Sequence, residues 1–135
     1  MSATLNCIML IDDNKIDNFF HERVIKKCDA ARNVITKESG REALDYITDE
    51  DKPQPELIFL DINMPGMNGW EFIEVYKRLD AKFHKSMIVV MLTTSENPDD
   101  IDRAMMNGLL ADFKSKPLTR EMLESVIEKY WDERT

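Results

Sequence analysis

Five times along this chain a short apolar run breaks off at polar or turn-forming residues and gives way to apolar residues at helical spacing. The first run, "NCIMLI" (6–11), stops at Asp12-Asp13-Asn14. Ile16, Phe19, Phe20, Val24 and Ile25 then recur as on one helix to about Lys27. "NVIT" (33–36) is a short second strand, and Ser39 and Glu42 stand at capping-box spacing ahead of Ala43, Leu44 and Ile47. "ELIFLD" (56–61) is the third strand, and Trp70, Phe72, Ile73, Val75, Tyr76 and Leu79 mark the helix after it. "SMIVVMLT" (86–93) is the fourth and most apolar strand; Asn97-Pro98 reads as a cap and first helical residue, and Gly108 as the stop. "LADFKS" (110–115) is the fifth strand. Lys116-Pro117 then makes a turn of the kind where a cis peptide is found. Thr119 caps a last helix whose stripe is Leu123, Val126, Ile127 and Tyr130.

Five strand-helix units in succession predict an α/β fold with a parallel sheet covered on both faces. Right-handed crossovers leave few topologies, and five strands suit the flavodoxin-like (βα)5 three-layer sandwich of strand order 2-1-3-4-5. The chain has 135 residues, 43% of them apolar, which fits one domain with a real core. The net charge of -8 argues against direct binding to nucleic acid or to an anionic membrane. No apolar run approaches transmembrane length, and "MSATLNCIMLIDDN" lacks the basic start and apolar stretch of a signal peptide, so a cytoplasmic location is expected. Cys7 and Cys28 are too few for a disulfide framework and read as buried or half-buried thiols.

The strand order has a chemical consequence. Growth of the sheet reverses between strands one and three, and a crevice opens there at the carboxyl ends. Asp12 and Asp13 follow the first strand, Asp61 ends the third, Thr93, Thr94 and Ser95 end the fourth, and Lys116 follows the fifth. Taken singly, each has a plain explanation: Asp13 or Asn14 as a helix cap, Asp61 as a turn residue, Thr93 as a strand terminus, Lys116 as a surface lysine. Independent turns would not gather all of them at one edge of one sheet. Crowded carboxylates resist joint ionisation, which a divalent cation relieves; hard oxygen ligands with room for water suit Mg²⁺. His21 reads as a helix-surface residue and His84 as part of the loop before the fourth strand, neither of them near a strand end.

With "LIDDN" (10–14), "LDINMPGMNG" (60–69), "MLTTS" (91–95) and "FKSKP" (113–117) in this order, the chain resembles the receiver domain of two-component response regulators from about Cys7 to Tyr130. The resemblance implies a phosphoacceptor at Asp61, taking its phosphoryl group from a phosphohistidine on a sensor histidine kinase or a histidine phosphotransfer protein. It implies Mg²⁺ held by Asp13 directly, by Asp12 through water, by Asp61, and by the backbone carbonyl of Asn63. Thr93 matches the hydroxyl that moves to the phosphoryl group, Lys116 the lysine that pairs with it, and Phe113 the aromatic whose rotamer reports the change. Phe113 stands where Tyr is frequent, Thr94 where Ala is frequent, and Ser95 at a position that tunes hydrolysis. Only "WDERT" follows Tyr130, so the expectation is one receiver domain over 1–135, core about 7–130, without an output domain, acting on an unknown downstream protein partner or relaying phosphate. Such a domain is not an enzyme beyond its own phosphorylation and dephosphorylation. The alternatives are a haloacid-dehalogenase-like phosphatase, disfavoured because Asn63 stands where the general acid is needed, and a receiver-like binding module without phosphotransfer.

Overall fold

A computed structural model describes residues 4–79, 88–94, 97–106 and 110–130, the side chain of Met105 excepted. Strands β1 (Leu5–Ile11), β2 (Ala31–Lys37), β3 (Leu57–Leu60), β4 (Ile88–Thr93) and β5 (Leu110–Ser115) alternate with helices α1 (Lys15–Lys27), α2 (Gly40–Ile47), α3 (Gly69–Lys77), α4 (Pro98–Met106) and α5 (Arg120–Tyr130). All five strands pair in parallel, in the order β2-β1-β3-β4-β5. The predicted fold class and strand order are therefore observed. Gly108, His84, Ser95 and Trp131 lie outside the described residues.

The pleat sends alternate residues of the central strands to opposite faces. Ile8 and Leu10, Leu57 and Phe59, Val90 and Leu92 pack with Ile25 of α1 and Leu123, Val126 and Ile127 of α5. Met9 and Ile11, Ile58 and Leu60, Val89 and Met91 pack beneath α2 and α3, with Ala104 of α4. Burial on both sides explains why these strands read as continuous apolar runs rather than alternating ones.

The helices start on caps. Asn14 accepts from the backbone N–H groups of Ile16 and Asp17, and Ser39 from Glu42. Glu42 does not close the expected capping box: its carboxylate accepts instead from the Glu38 N–H at 3.2 Å. The complete capping box is at α3, where Asn68 Oδ1 accepts from Glu71 N–H and Glu71 Oε1 from Asn68 N–H. Asn97 and Thr119 accept from Asp99 and Met122 as expected of caps. The Lys116-Pro117 peptide is cis.

In α1 the helix lies where periodicity places it, but its inner face is Asn18, His21 and Ile25. Ile16, Phe19 and Phe20 are 78%, 63% and 50% exposed. His21 is buried, which corrects its reading as a surface residue. The start of α1 covers the polar end of β1, where Asn18 donates to the Asp12 carbonyl and His21 lines a small cavity with Asp12 and Asp61.

Candidate functional site

Hydrogen bonding between strands continues one residue past their ends, and this places the polar cluster. Asp12 N–H donates to the Lys37 carbonyl and Asp61 N–H to the Ile11 carbonyl, both at 3.0 Å, so Asp12 and Asp61 sit side by side beyond β1 and β3. Lys116 N–H donates to the Thr93 carbonyl at 2.9 Å, which joins the ends of β4 and β5 in the same way. Asn18 Nδ2, from α1, donates to the carbonyls of Asp12 at 2.8 Å and Lys37 at 3.3 Å, fastening helix to strands.

Asp12, Asp13 and Asp61 each offer a carboxylate oxygen, all within 4.8 Å of one another. Asp12 and Asp61 are buried and Asp13 is exposed, so the trio opens toward solvent on one side. Lys116 Nζ lies 2.5 Å from Asp12 Oδ2, 2.9 Å from Asp17 Oδ2 and 3.6 Å from Asp61 Oδ2. Thr93 is fully buried at the end of β4, near enough to Asp61 for its hydroxyl to favour the ionised carboxylate. Phe113 is half-buried on β5, opposite Met91, against the cluster under α2 and α3. Asn63 is exposed in the loop after Asp61, and Thr94 is exposed beside Thr93.

Electrostatics follow from this geometry. Burial pushes the Asp61 carboxyl above its ordinary range, and the neighbouring Asp12 charge adds to the rise; Lys116, the Thr93 hydroxyl and the Ile62 N–H oppose it. Burial alone would lower Lys116, but its hydrogen bonds to Asp12 and Asp17 and the charges of Asp61 and Asp12 raise it overall. Burial, with Lys116 nearby, lowers His21, against the pull of Asp17 and Asp12. His21, Asn18, Asp12 and Asp61 line a cavity of about 10 Å³ behind the acids, the size of one water.

The loop between Asp61 and α3 closes tightly on itself. Gly69 N–H donates to the Ile62 carbonyl at 2.8 Å. A Cβ on Gly69 would lie 2.6 Å from the Asp61 carbonyl oxygen and 2.9 Å from Ile62 Cα, closer than side chains are found. Gly66, at the tip, has φ +80° and nothing within 4 Å of an added Cβ.

Asp12, Asp13, Asp61, Thr93 and Lys116 thus come together at the strand ends; Ser95 lies outside the described residues, and Phe113 lies lower on β5 against the apolar core. Asp17 and His21 were missed. The available signal was their i, i+4 spacing on α1, which aligns them on one side of the helix that follows the Asp12-Asp13 pair. The donor set fits a hard divalent cation: three carboxylates, two of them buried, share a site whose one described lysine leaves negative charge uncompensated.

This arrangement defines a class: a doubly wound α/β domain carrying an acid cluster and one lysine at the carboxyl edge of its sheet. The sequence matches the response regulator receiver domain over residues 8–128, and the chain belongs to that family. It superposes on a two component response regulator from Cytophaga hutchinsonii with a TM-score of 0.89 at 30% identity, covering 96% of this chain and 99% of that one. It is 28% identical to a probable methanogenesis regulatory protein, FilR2, of Methanothrix harundinacea over 92% of this chain and 82% of the relative. It also matches hybrid signal transduction histidine kinase L of Dictyostelium discoideum at 26% identity, there over 96% of this chain but 7% of the kinase. Family membership separates the chain from haloacid-dehalogenase-type phosphatases. Among the described residues no helix is long and apolar enough to cross a membrane.

Proposed function

We propose that this receiver domain takes a phosphoryl group onto Asp61 from the phosphohistidine of a sensor histidine kinase or a histidine phosphotransfer protein. The observation that supports this best is the side-by-side placement of Asp12 and Asp61, with Lys116 across from them. An Asp61 oxygen bonds to phosphorus as the P–N bond to the donor imidazole breaks, and the departing nitrogen takes a proton. In-line transfer needs positioning and charge neutralisation more than covalent assistance. Asp12, Asp13, Asp61 and the Asn63 carbonyl would hold Mg²⁺, which when bound neutralises charge on the transferred oxygens. Lys116 adds a positive charge from the other side.

Thr93 and Phe113 act after transfer. The Thr93 hydroxyl is placed to favour charge on Asp61, and it follows the new charge onto the phosphoryl oxygens. Phe113 turns into the space this opens, and the surface of β4, α4, β5 and α5 shifts toward its partner-binding form. The reaction is the domain's own, with no substrate released as product beyond phosphate on resetting. A donor protein docks on the exposed face of Ile16, Phe19 and Phe20, which stand i, i+3, i+4 at the start of α1, beside the acids.

The test is incubation with acetyl phosphate. A Mg²⁺-dependent gain of one phosphoryl mass is expected in the native chain and none in Asp61→Asn. Equal labelling of the Asp61→Asn protein would overturn the assignment. Repeated turnover of a stable phosphate monoester would replace it with a phosphatase.

A further inference from the structure

We propose that Asp17 is a positioning residue that shares the Lys116 ammonium with Asp12 and holds it short of Asp61 until a phosphoryl group competes for it. This rests on the reading of Asp61 as phosphoacceptor and adds a fourth carboxylate to that site.

Lys116 Nζ is within hydrogen-bond distance of Asp12 Oδ2 and Asp17 Oδ2, at 2.5 and 2.9 Å, but stands 3.6 Å from Asp61 Oδ2, beyond that distance. An ammonium has three donors, and its bonds to carboxylates are the strong, charge-assisted kind. One of the three is committed to Asp17 on α1 and a second to Asp12 at the end of β1. The Lys116 side chain is 10% exposed and the Asp17 side chain 35%, so the pair is partly shielded from water.

Local structure explains why Asp17 is available. Asp17 is the third residue of α1, where an acid in a capping box reaches back to the N-cap N–H. Glu71 does this in α3, accepting from Asn68 N–H at 3.1 Å. In α1 that N–H is already bonded, from Asn14 to Asp12 Oδ1 at 2.9 Å. The Asp17 carboxylate therefore crosses the rim to a lysine 99 residues further along the chain. Favourable placement in a first turn does not by itself require that contact.

The consequence concerns Asp61. With Lys116 drawn aside, the Asp61 oxygens remain open to a cation and to phosphorus. Without the Asp17 charge the ammonium closes on Asp61 and competes with a divalent cation for it.

The experiment uses the full chain, first free of divalent ions. In Asp17→Asn, the Asp61 side-chain carboxyl carbon and the Lys116 side-chain nitrogen are expected to shift in NMR spectra. Glu22→Gln, which removes one charge from the exposed side of α1 and breaks a contact to Lys26, should move neither. Mg²⁺ titration should then show affinity lowered about fivefold in Asp17→Asn, an effect in the usual range for coupled sites. Asp17→Glu should restore it. In a Lys116→Ala background the same Asp17→Asn change should alter affinity less than about twofold, because the effect acts through the lysine. An unmoved Asp61 resonance in ion-free Asp17→Asn, or a fivefold loss that persists without Lys116, overturns the proposal. If Asp61 accepts no phosphoryl group, the phosphoacceptor reading fails alone, since the ion-free shift decides the role of Asp17 independently.

Discussion

The two faces of the sheet are packed with different materials. Beneath α1 and α5 the buried side chains are mostly branched aliphatics: Ile8, Leu10, Ile25, Leu57, Val90, Leu92, Leu123, Val126 and Ile127, with Phe59 the one buried aromatic described there. Beneath α2, α3 and α4 they are Met9, Met64, Met91, Tyr46, Trp70, Phe72 and Tyr76 among the aliphatics. Phe72 and Tyr76 stack at 5.8 Å. Branched side chains have few rotamers and interlock, whereas methionine fills irregular gaps and follows its neighbours. Phe113 lies against the second face. The difference teaches where a rearrangement is absorbed more cheaply: the side chains beneath α2, α3 and α4 repack more readily than the branched ones beneath α1 and α5.

Truncations would break or sharpen this contrast most directly. Leu123→Ala is expected to cost about 3 kcal/mol and Met91→Ala about 2 kcal/mol, because the flexible neighbours of Met91 collapse further into the space left. Urea denaturation measures both, and a larger loss at Met91 would end the distinction. A smaller effect is expected where the repackable face meets α4. Trp70 Nε1 donates to Asp100 Oδ1 at 3.1 Å, and the Arg103 guanidinium stands 4.8 Å from the Trp70 ring. Trp70→Phe removes the hydrogen bond and should cost about 1 kcal/mol. Amide exchange should rise in α4 and not in α5; a rise in both would mean the faces are not separate.

The smallest change belongs to neither face. Burial raises the Asp61 carboxyl, so the native state retains a proton that the unfolded chain has released. The contribution of this group to stability is therefore greatest at low pH and falls as pH climbs from the model-peptide value of 3.8 through the higher folded value. Asp61→Asn should thus be stabilising at pH 7, by about 0.5–1 kcal/mol, with the gain disappearing near pH 3. Thermal unfolding across that range checks it; a mutant less stable at pH 7 would contradict the sign.

Much of this was legible in the sequence, for physical reasons. Strands buried on both faces are long apolar runs, so β1, β3 and β4 were visible in "NCIMLI", "ELIFLD" and "SMIVVMLT"; the half-buried edge strands β2 and β5 showed only as the short runs "NVIT" and "LADFKS" between helical stretches. Parallel order constrains which ends meet, so Asp12, Asp13, Asp61, Thr93 and Lys116 could be gathered before any coordinate. The inner face of α1 could not. Periodicity counts apolar residues, and here the inner face begins with Asn18 and His21, of which Asn18 is held by hydrogen bonds to the carbonyls of Asp12 and Lys37. Ile16, Phe19 and Phe20 carry the apolar signal and face outward. Asn68 and Glu71 were hidden for another reason: in a loop rich in Gly, Pro and Asn, a capping residue looks like one more turn residue. Helical spacing put Asp17 on one side with His21, but not opposite Lys116, which follows β5 and lies 99 residues further along the chain.

The closure at Gly69 bears on how this loop can vary. Its backbone lies against the carbonyl of Asp61 and Cα of Ile62, while Gly66 stands at an open tip. The segment is a purse with a drawn string: material added near residue 66 bulges into solvent, and the mouth stays shut. A single methyl at residue 69 instead wedges the mouth and pushes the backbone of Asp61 and Ile62 away from the start of α3. Length can therefore change in this loop with little effect on the chemistry, whereas bulk at its neck cannot.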